Sequence, residues 1–148
     1  MIRTSRKTHL PDKRRAVQSF RPECIIHELT DLPDDRSSIR ELVGRNARIR
    51  REGTHNLLAA AEAAGVRRFL AQSVAWELPP GDGAEAVTEL ERTVLNAGGV
   101  VLRYGQFYGP GTYYEREPPP PRVHIDEAAA RTISALGAPT GIITVVEN

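Results

Sequence analysis

The residues with chemistry to offer gather at the ends of short apolar runs. Gln72 and Ser73 close the run 66–71, and the run 100–103 leads into Arg103, Tyr104, Gln106, Tyr108 and Gly109-Pro110-Gly111. Hydroxyl and phenol groups can donate hydrogen bonds, and a guanidinium can hold an anion. Glycines and proline set among aromatics suit a loop wrapped close over a flat ligand. The same residues also allow a plainer arrangement, with Tyr104 and Phe107 capping the core and Arg103 paired to a local acid. His27 ends a third run, where it either borders a ligand or pairs with a loop group. His27, His55 and His124 are scattered, with no Cys or carboxylate at ligand spacing, so a metal site is not expected.

What is missing from the list is as informative. The lysines are Lys7 and Lys13, and every tyrosine lies at Tyr104 or later, so no Tyr-x-x-x-Lys pair can be written. In such a pair the lysine lowers the phenol pKa and lets the tyrosine exchange a proton. Gly81-Asp-Gly83-Ala-Glu-Ala86 spells a Gly-x-Gly-x-x-Ala phosphate loop. However, Pro79-Pro80 separates it from its strand, and no acid closes the next strand to hold a ribose. An ordinary glycine-rich connection is the better reading.

The elements that would position these groups follow from periodicity. Ile49, Gly53, Leu57, Ala60, Ala61 and Ala64 recur at helical spacing, and Gly65 suits the left-handed position that closes a helix. The run 66–71 lacks alternation, as in a strand covered on both faces. A first strand is expected over 23–30, a polar loop over 31–38 and a helix over 84–97. That helix turns Val87, Leu90, Val94 and Leu95 inward and Glu85, Glu89, Glu91 and Arg92 to water. Pro118 to Pro121 reads as a short polyproline spacer. Asp126 reads as the cap of a helix over 127–136, and a last strand is expected over 141–146. Strands alternating with helices point to a doubly wound α/β domain, which takes its ligands at the C-terminal edge of the sheet.

At 148 residues the chain has the size of one domain, and it has no apolar run of membrane-spanning length. The single Cys24 allows no internal disulfide, and residues 1–20 show no apolar signal core, so a reducing cytoplasm is the expected compartment. Residues 1–21 hold seven Lys or Arg against one Asp, while the remainder is acidic. Without interleaved aromatics to stack bases, this basic segment reads as a poorly ordered N-terminal arm over 1–20, not as a nucleic-acid contact.

Several sequence words resemble the extended and atypical short-chain dehydrogenase/reductases, more narrowly the NAD-dependent epimerase/dehydratase family. They are Arg21-Pro-Glu-Cys-Ile-Ile-His-Glu-Leu-Thr, Glu52-Gly-Thr-His-Asn-Leu-Leu-Ala-Ala-Ala, Ala63-Ala-Gly-Val-Arg-Arg-Phe-Leu-Ala-Gln-Ser, Val101-Leu-Arg-Tyr-Gly-Gln-Phe-Tyr-Gly-Pro-Gly-Thr and Val123-His-Ile-Asp-Glu-Ala-Ala. The resemblance implies a Rossmann-like, mostly parallel sheet with helices on both faces over 21–148. It would be incomplete, lacking the first strand–helix–strand unit with its Gly-x-x-Gly-x-x-Gly turn and the C-terminal substrate domain. It implies NAD or NADP as cofactor and hydride transfer on a sugar-like or small carbonyl substrate. By resemblance the cofactor would meet His27, Leu29, Thr30, Gln72, Ser73, Tyr108 and Gly109. Ser73, Tyr104 and Tyr108 would be catalytic, and Arg103, Tyr104 and Tyr113 would face substrate. Where the family places its Tyr and Lys, this chain has Gly83 and Val87. The alternative is therefore a non-catalytic or truncated Rossmann-like module that binds a nucleotide or acts through protein contacts. A sheet without its first strand would expose an edge through which copies could associate.

Overall fold

The computed structural model describes residues 10–147. Four parallel strands, β1 (Cys24–His27), β2 (Arg68–Val74), β3 (Val100–Tyr104) and β6 (Gly141–Val145), pair in the order β1-β2-β3-β6. The short strands β4 (Gln106–Tyr108) and β5 (Arg122–His124) form a second parallel pair. Register aligns His27 with Ala71, Ser73 with Arg103, and Val74 with Tyr104. Among the described residues no strand lies beyond β1, and Ile26 on that edge strand is exposed.

Because side chains alternate along a strand, each strand feeds two cores. Phe69, Ala71 and Val101 meet Val17, Leu57, Ala60, Ala61, Leu90 and Val94 on one face. Leu70, Val100, Leu102, Tyr104 and Val145 meet Val123, Ala128 and Ala135 on the other. The first face is covered by α1 (Leu10–Phe20), α3 (Thr54–Ala64) and α4 (Asp82–Asn96), and the second by α5 (Ile125–Ser134). Helices therefore lie on both faces, as the strand and helix pattern implies. Gly65 closes α3 at φ 68, the left-handed position expected of it.

Some local expectations change. From Leu10 the basic segment is helical, with Val17 in the core, whereas residues 1–9 lie outside the described residues. Pro11 looks like a breaker but sits in the first helical turn, where its missing N–H costs nothing. Ahead of α3, a 3-10 stretch (Arg36–Leu42), α2 (Val43–Arg48) and a π-turn (Ile49–Gly53) make one winding approach. The cap of α5 is His124, whose Nδ1 accepts the Asp126 N–H at 3.3 Å. Asp126 itself falls within the first turn. Residues 106–108, expected as loop, pair with β5 because the proline run folds back. Pro121 O accepts Gln106 N–H at 2.8 Å and Pro119 O accepts Gln106 Nε2 at 3.1 Å. The run thus bends instead of extending, and its Pro120–Pro121 peptide is cis.

Gly105 lies where β3 passes into β4. A Cβ there would stand 2.6 Å from the Arg122 backbone. Backbone cannot swing aside as a side-chain tip can, so Gly105→Ala is expected to cost about 2–3 kcal/mol. Thermal melting followed by circular dichroism should show a midpoint several degrees lower, at roughly 2–4 °C per kcal/mol for a domain near 150 residues.

Candidate active site at the C-terminal edge of the sheet

Ser73, the expected catalytic hydroxyl, is 1% exposed and donates to Glu91 Oε1 at 2.5 Å. Arg103, its neighbour in register, grips the same carboxylate with Nε at 2.9 Å and Nη2 at 2.6 Å. Burial alone would raise the Glu91 carboxyl. The hydrogen bonds from Arg103 and Ser73 and the Arg103 charge outweigh that and hold it below the usual carboxylate value. Arg103 is thus anion-bound, but to an internal anion. Glu91 does not face water as its helix pattern was read. Val87, Leu90, Glu91 and Val94 share one helical stripe, and an acid on an apolar stripe was the available signal.

His27 is 2% exposed and completes a second internal chain. Its Nδ1 accepts the Leu29 N–H at 3.3 Å, which leaves Nε2–H to donate to Thr54 Oγ1 at 2.9 Å. Thr54 donates in turn to Arg50 O. His27 is therefore paired with groups of the fold, at the end of the strand where it was expected. Leu29 packs against the core on the same side, and Thr30 is half-buried beyond it.

Tyr104 faces the opposite side of the sheet from Ser73 and donates to Thr132, whose hydroxyl is spent on Ala128 O. Burial pushes its phenol up to about 12, reinforced by the charge of Glu28 and only partly offset by the Thr132 bond. It is neither ionised near neutral pH nor beside Ser73. Gln72, half-buried on β2, shares the Tyr104 side. Tyr108 donates to both Glu147 oxygens, at 2.9 and 3.0 Å, and its ring meets His124 edge-on with centroids 5.1 Å apart. The His124 backbone N–H also donates to Glu147, at 2.8 Å, and is the leading cause of that carboxyl lying below its usual value. Gly109 sits at φ 109, where a side chain would strain the backbone and, with its Cβ 2.7 Å from His124 Nε2, push the imidazole aside. Tyr113 donates to Pro33 O, and Arg36 lies 4.6 Å over the Tyr114 ring, so the loops 30–37 and 109–116 are tied together.

The structure therefore divides the expected site residues into three groups: Ser73, Arg103 and His27 on the α3/α4 face, Tyr104 and Gln72 on the α5 face, and Tyr108 with Gly109 after it at the end of the small sheet. Glu28, Arg50, Thr54, Glu91 and Glu147 were not singled out by sequence. Glu28 is solvent-exposed, yet crowding raises its carboxyl. The Gly81 segment is an ordinary connection. β2 ends at Val74, and α4 opens with Asp82 and Glu85, acids that oppose a phosphate at a helix start.

A four-stranded parallel sheet with helices on both faces and polar groups at its C-terminal ends defines part of a Rossmann-like domain. No family model matches the chain. It is 40% identical to the 3-diazoavenalumate denitrifying reductase of a Streptomyces species, an alignment covering 69% of this chain and 41% of that protein. Among solved structures it resembles the UDP-glucose 4-epimerase of Thermus thermophilus in complex with NAD (TM-score 0.73, 20% identity, 93% of this chain and 60% of that one). It also resembles the UDP-glucose 4-epimerase of Thermotoga maritima with UDP-glucose (0.74, 17%, 93% and 59%). A third is the dTDP-glucose 4,6-dehydratase of Streptomyces venezuelae with NAD (0.71, 18%, 93% and 55%). The chain thus spans about half the length of the proteins it matches. The resemblance carried by the sequence words reappears in the fold, and its incompleteness in these shares. Among the described residues no helix is long and apolar enough to cross a membrane.

Because the Glu91 carboxyl is held low in the fold, its contribution is fully present above the unfolded carboxylate value and is lost as pH falls through the folded one. Glu91→Gln should cost about 2 kcal/mol at pH 7, less than a sealed ion pair, since the Arg103 side chain is 41% exposed. In urea melts the gap to the parent chain should close as pH drops below about 4. An equal gap at both pH values would mean that the carboxylate charge contributes nothing.

Proposed function

We propose that this chain forms part of a nicotinamide-dependent reductase, with NAD or NADP in its reduced form as the hydride source and a diazo compound, reacting as its diazonium form, as the favoured substrate class. The kinship at 40% identity to a denitrifying reductase suggests the class, and one geometric observation carries it. Every tyrosine is already donating inside the fold: Tyr104 to Thr132, Tyr108 to Glu147, Tyr113 to Pro33 and Tyr114 to Gln106 Oε1. No lysine occurs beyond Lys13 to assist any of them. Oxidation or reduction at a sugar or carbonyl carbon moves a proton at oxygen as well as a hydride at carbon. Replacing the diazonium group of an arene by hydrogen does not, because the positive charge of the diazonium balances that of the incoming hydride. A reduced nicotinamide, when bound, supplies the hydride that forms the new C–H bond, and the C–N electron pair leaves with dinitrogen. A site without a poised phenol suits that balance.

The residues fit one end of a dinucleotide and not the other. Among the described residues no strand passes directly through a Gly-x-x-Gly-x-x-Gly turn into a helix, so the usual pyrophosphate anchor is not among them. The ends of β1, β2 and β3, with Thr30, Gln72 and the tied loops 30–37 and 109–116, suit the flat nicotinamide end. The chain's part is then to orient and to exclude water.

Trp76, the lone tryptophan, is 37% exposed in the bend after β2 and reports on that edge. Titration with NADH and NADPH should quench it saturably. Addition of an aromatic diazo carboxylate should then oxidise the cofactor with release of dinitrogen. A folded chain whose emission does not change up to about 1 mM cofactor, the top of the usual KM range, would defeat this reading and favour the non-catalytic one.

A further inference from the structure

Six arginines of the described residues are half-buried. Five donate to protein oxygens: Arg51 to Asp82 and Glu89, Arg68 to Ala138 O, Arg103 to Glu91, Arg122 to Pro118 O and Arg131 to Thr144 O and Val146 O. Arg50 is the sixth, and its guanidinium has no hydrogen-bond or ion-pair partner among the described residues. Acids are not scarce nearby: Arg45 pairs with Asp31, Arg48 with Glu52, and Arg51 with Asp82 and Glu89. These carboxylates are drawn to its neighbours.

Position and support point the same way. Arg50 lies in the π-turn, a helix irregularity that recurs at functional sites. It is four residues ahead of Thr54, whose bond to His27 sets that point of the helix level with the last residue of β1. Arg50 therefore stands at or just past the C-terminal edge of the sheet, where such folds take ligands. Its backbone is fixed by the chain of bonds from Leu29 N–H through His27 and Thr54 to Arg50 O. Surrounding atoms crowd the guanidinium enough to disfavour its charge. It is nevertheless not among the sealed, unpartnered nitrogens, which belong to Arg68 and Arg122, so it still reaches water. A crowded cation left unpaired costs stability unless something else neutralises it.

We infer that Arg50 holds the anionic oxygen group of a ligand, a phosphate or a carboxylate, at the C-terminal edge of the sheet. A guanidinium matches either group with two parallel N–H bonds. A cofactor would bring the phosphate, a substrate the carboxylate. The inference goes beyond the reductase reading and stands without it, since the probes below are anions alone.

The test compares thermal midpoints of the parent chain, Arg50→Met and Arg50→Lys in increasing orthophosphate or cinnamate, with sulfate-free buffer and ionic strength held constant by chloride. Stabilisation of the parent by phosphate is expected if the group comes from a cofactor, and by cinnamate if it comes from a substrate. Arg50→Met should lose that response, keep a midpoint no lower than the parent in chloride alone, and bind the active anion at least roughly tenfold more weakly. Arg50→Lys, which keeps the charge but not the fork, should retain a reduced response, and it replaces the methionine variant should that one not fold. The inference is overturned if neither anion shifts the parent. It is equally overturned if the variants respond as the parent does, or if Arg50→Met melts lower with its anion response intact, which would make Arg50 a packing residue. Failure of the reductase reading shows separately, as absence of a nicotinamide response in Trp76.

Discussion

A single carboxylate ties the molecule together. Glu91 projects from α4 onto the sheet and receives Ser73 from β2 and the two-pronged Arg103 from β3. Neither strand could bury its polar group on that face without it, since a hydroxyl and a guanidinium left unmet would each cost free energy. The helix carrying Glu91 also supplies Leu90 and Val94 to the core beneath. Packing and charge therefore specify the same seat for α4. That seat sets where α2 and the π-turn lie, because Val43 meets α4 at Gly83 and Arg51 reaches Asp82 and Glu89.

This clamp also explains why a serine at the end of β2 is not free to act on a ligand. The sheet alternates, so Ser73 and Tyr104 cannot serve one reacting centre however close they lie in register. Each phenol has been drawn into the architecture instead. Tyr104 anchors α5 through Thr132, Tyr108 joins the small sheet to Glu147, and Tyr113 and Tyr114 bind loop to loop. Groups that serve proton transfer elsewhere here hold elements in place.

Much of the architecture was legible because it rests on long-range periodicity. The apolar runs gave β1, β2 and β3, the helical stripes gave α3 and α4, and Gly65 marked its turn. The misreadings had local causes. Pro11 hid a helix start, four prolines concealed a fold-back held by carbonyl bonds to Gln106, and an imidazole took the capping role assigned to Asp126. The site was less legible than the fold. Residue type suggested what Ser73, Arg103 and His27 could do, but not which partner each would find, and those partners lie 12 to 27 positions away in sequence. Arg50 offered no signal at all, because being unpaired is a property of surroundings and not of a sequence word.

The π-turn ahead of α3 bears on how such a chain tolerates change. A π-turn amounts to one residue inserted into a regular helix, which rotates the turns before it by about 100° relative to those after it. Here that rotation lets α2 turn toward α4 while α3 keeps its stripe on the sheet. It also sends Arg50 and Arg51 in different directions, one left unpaired beside the strand ends and one into the acids of α4. The insertion works as an indexing step, setting the orientation of one half of a helix without disturbing the packing of the other.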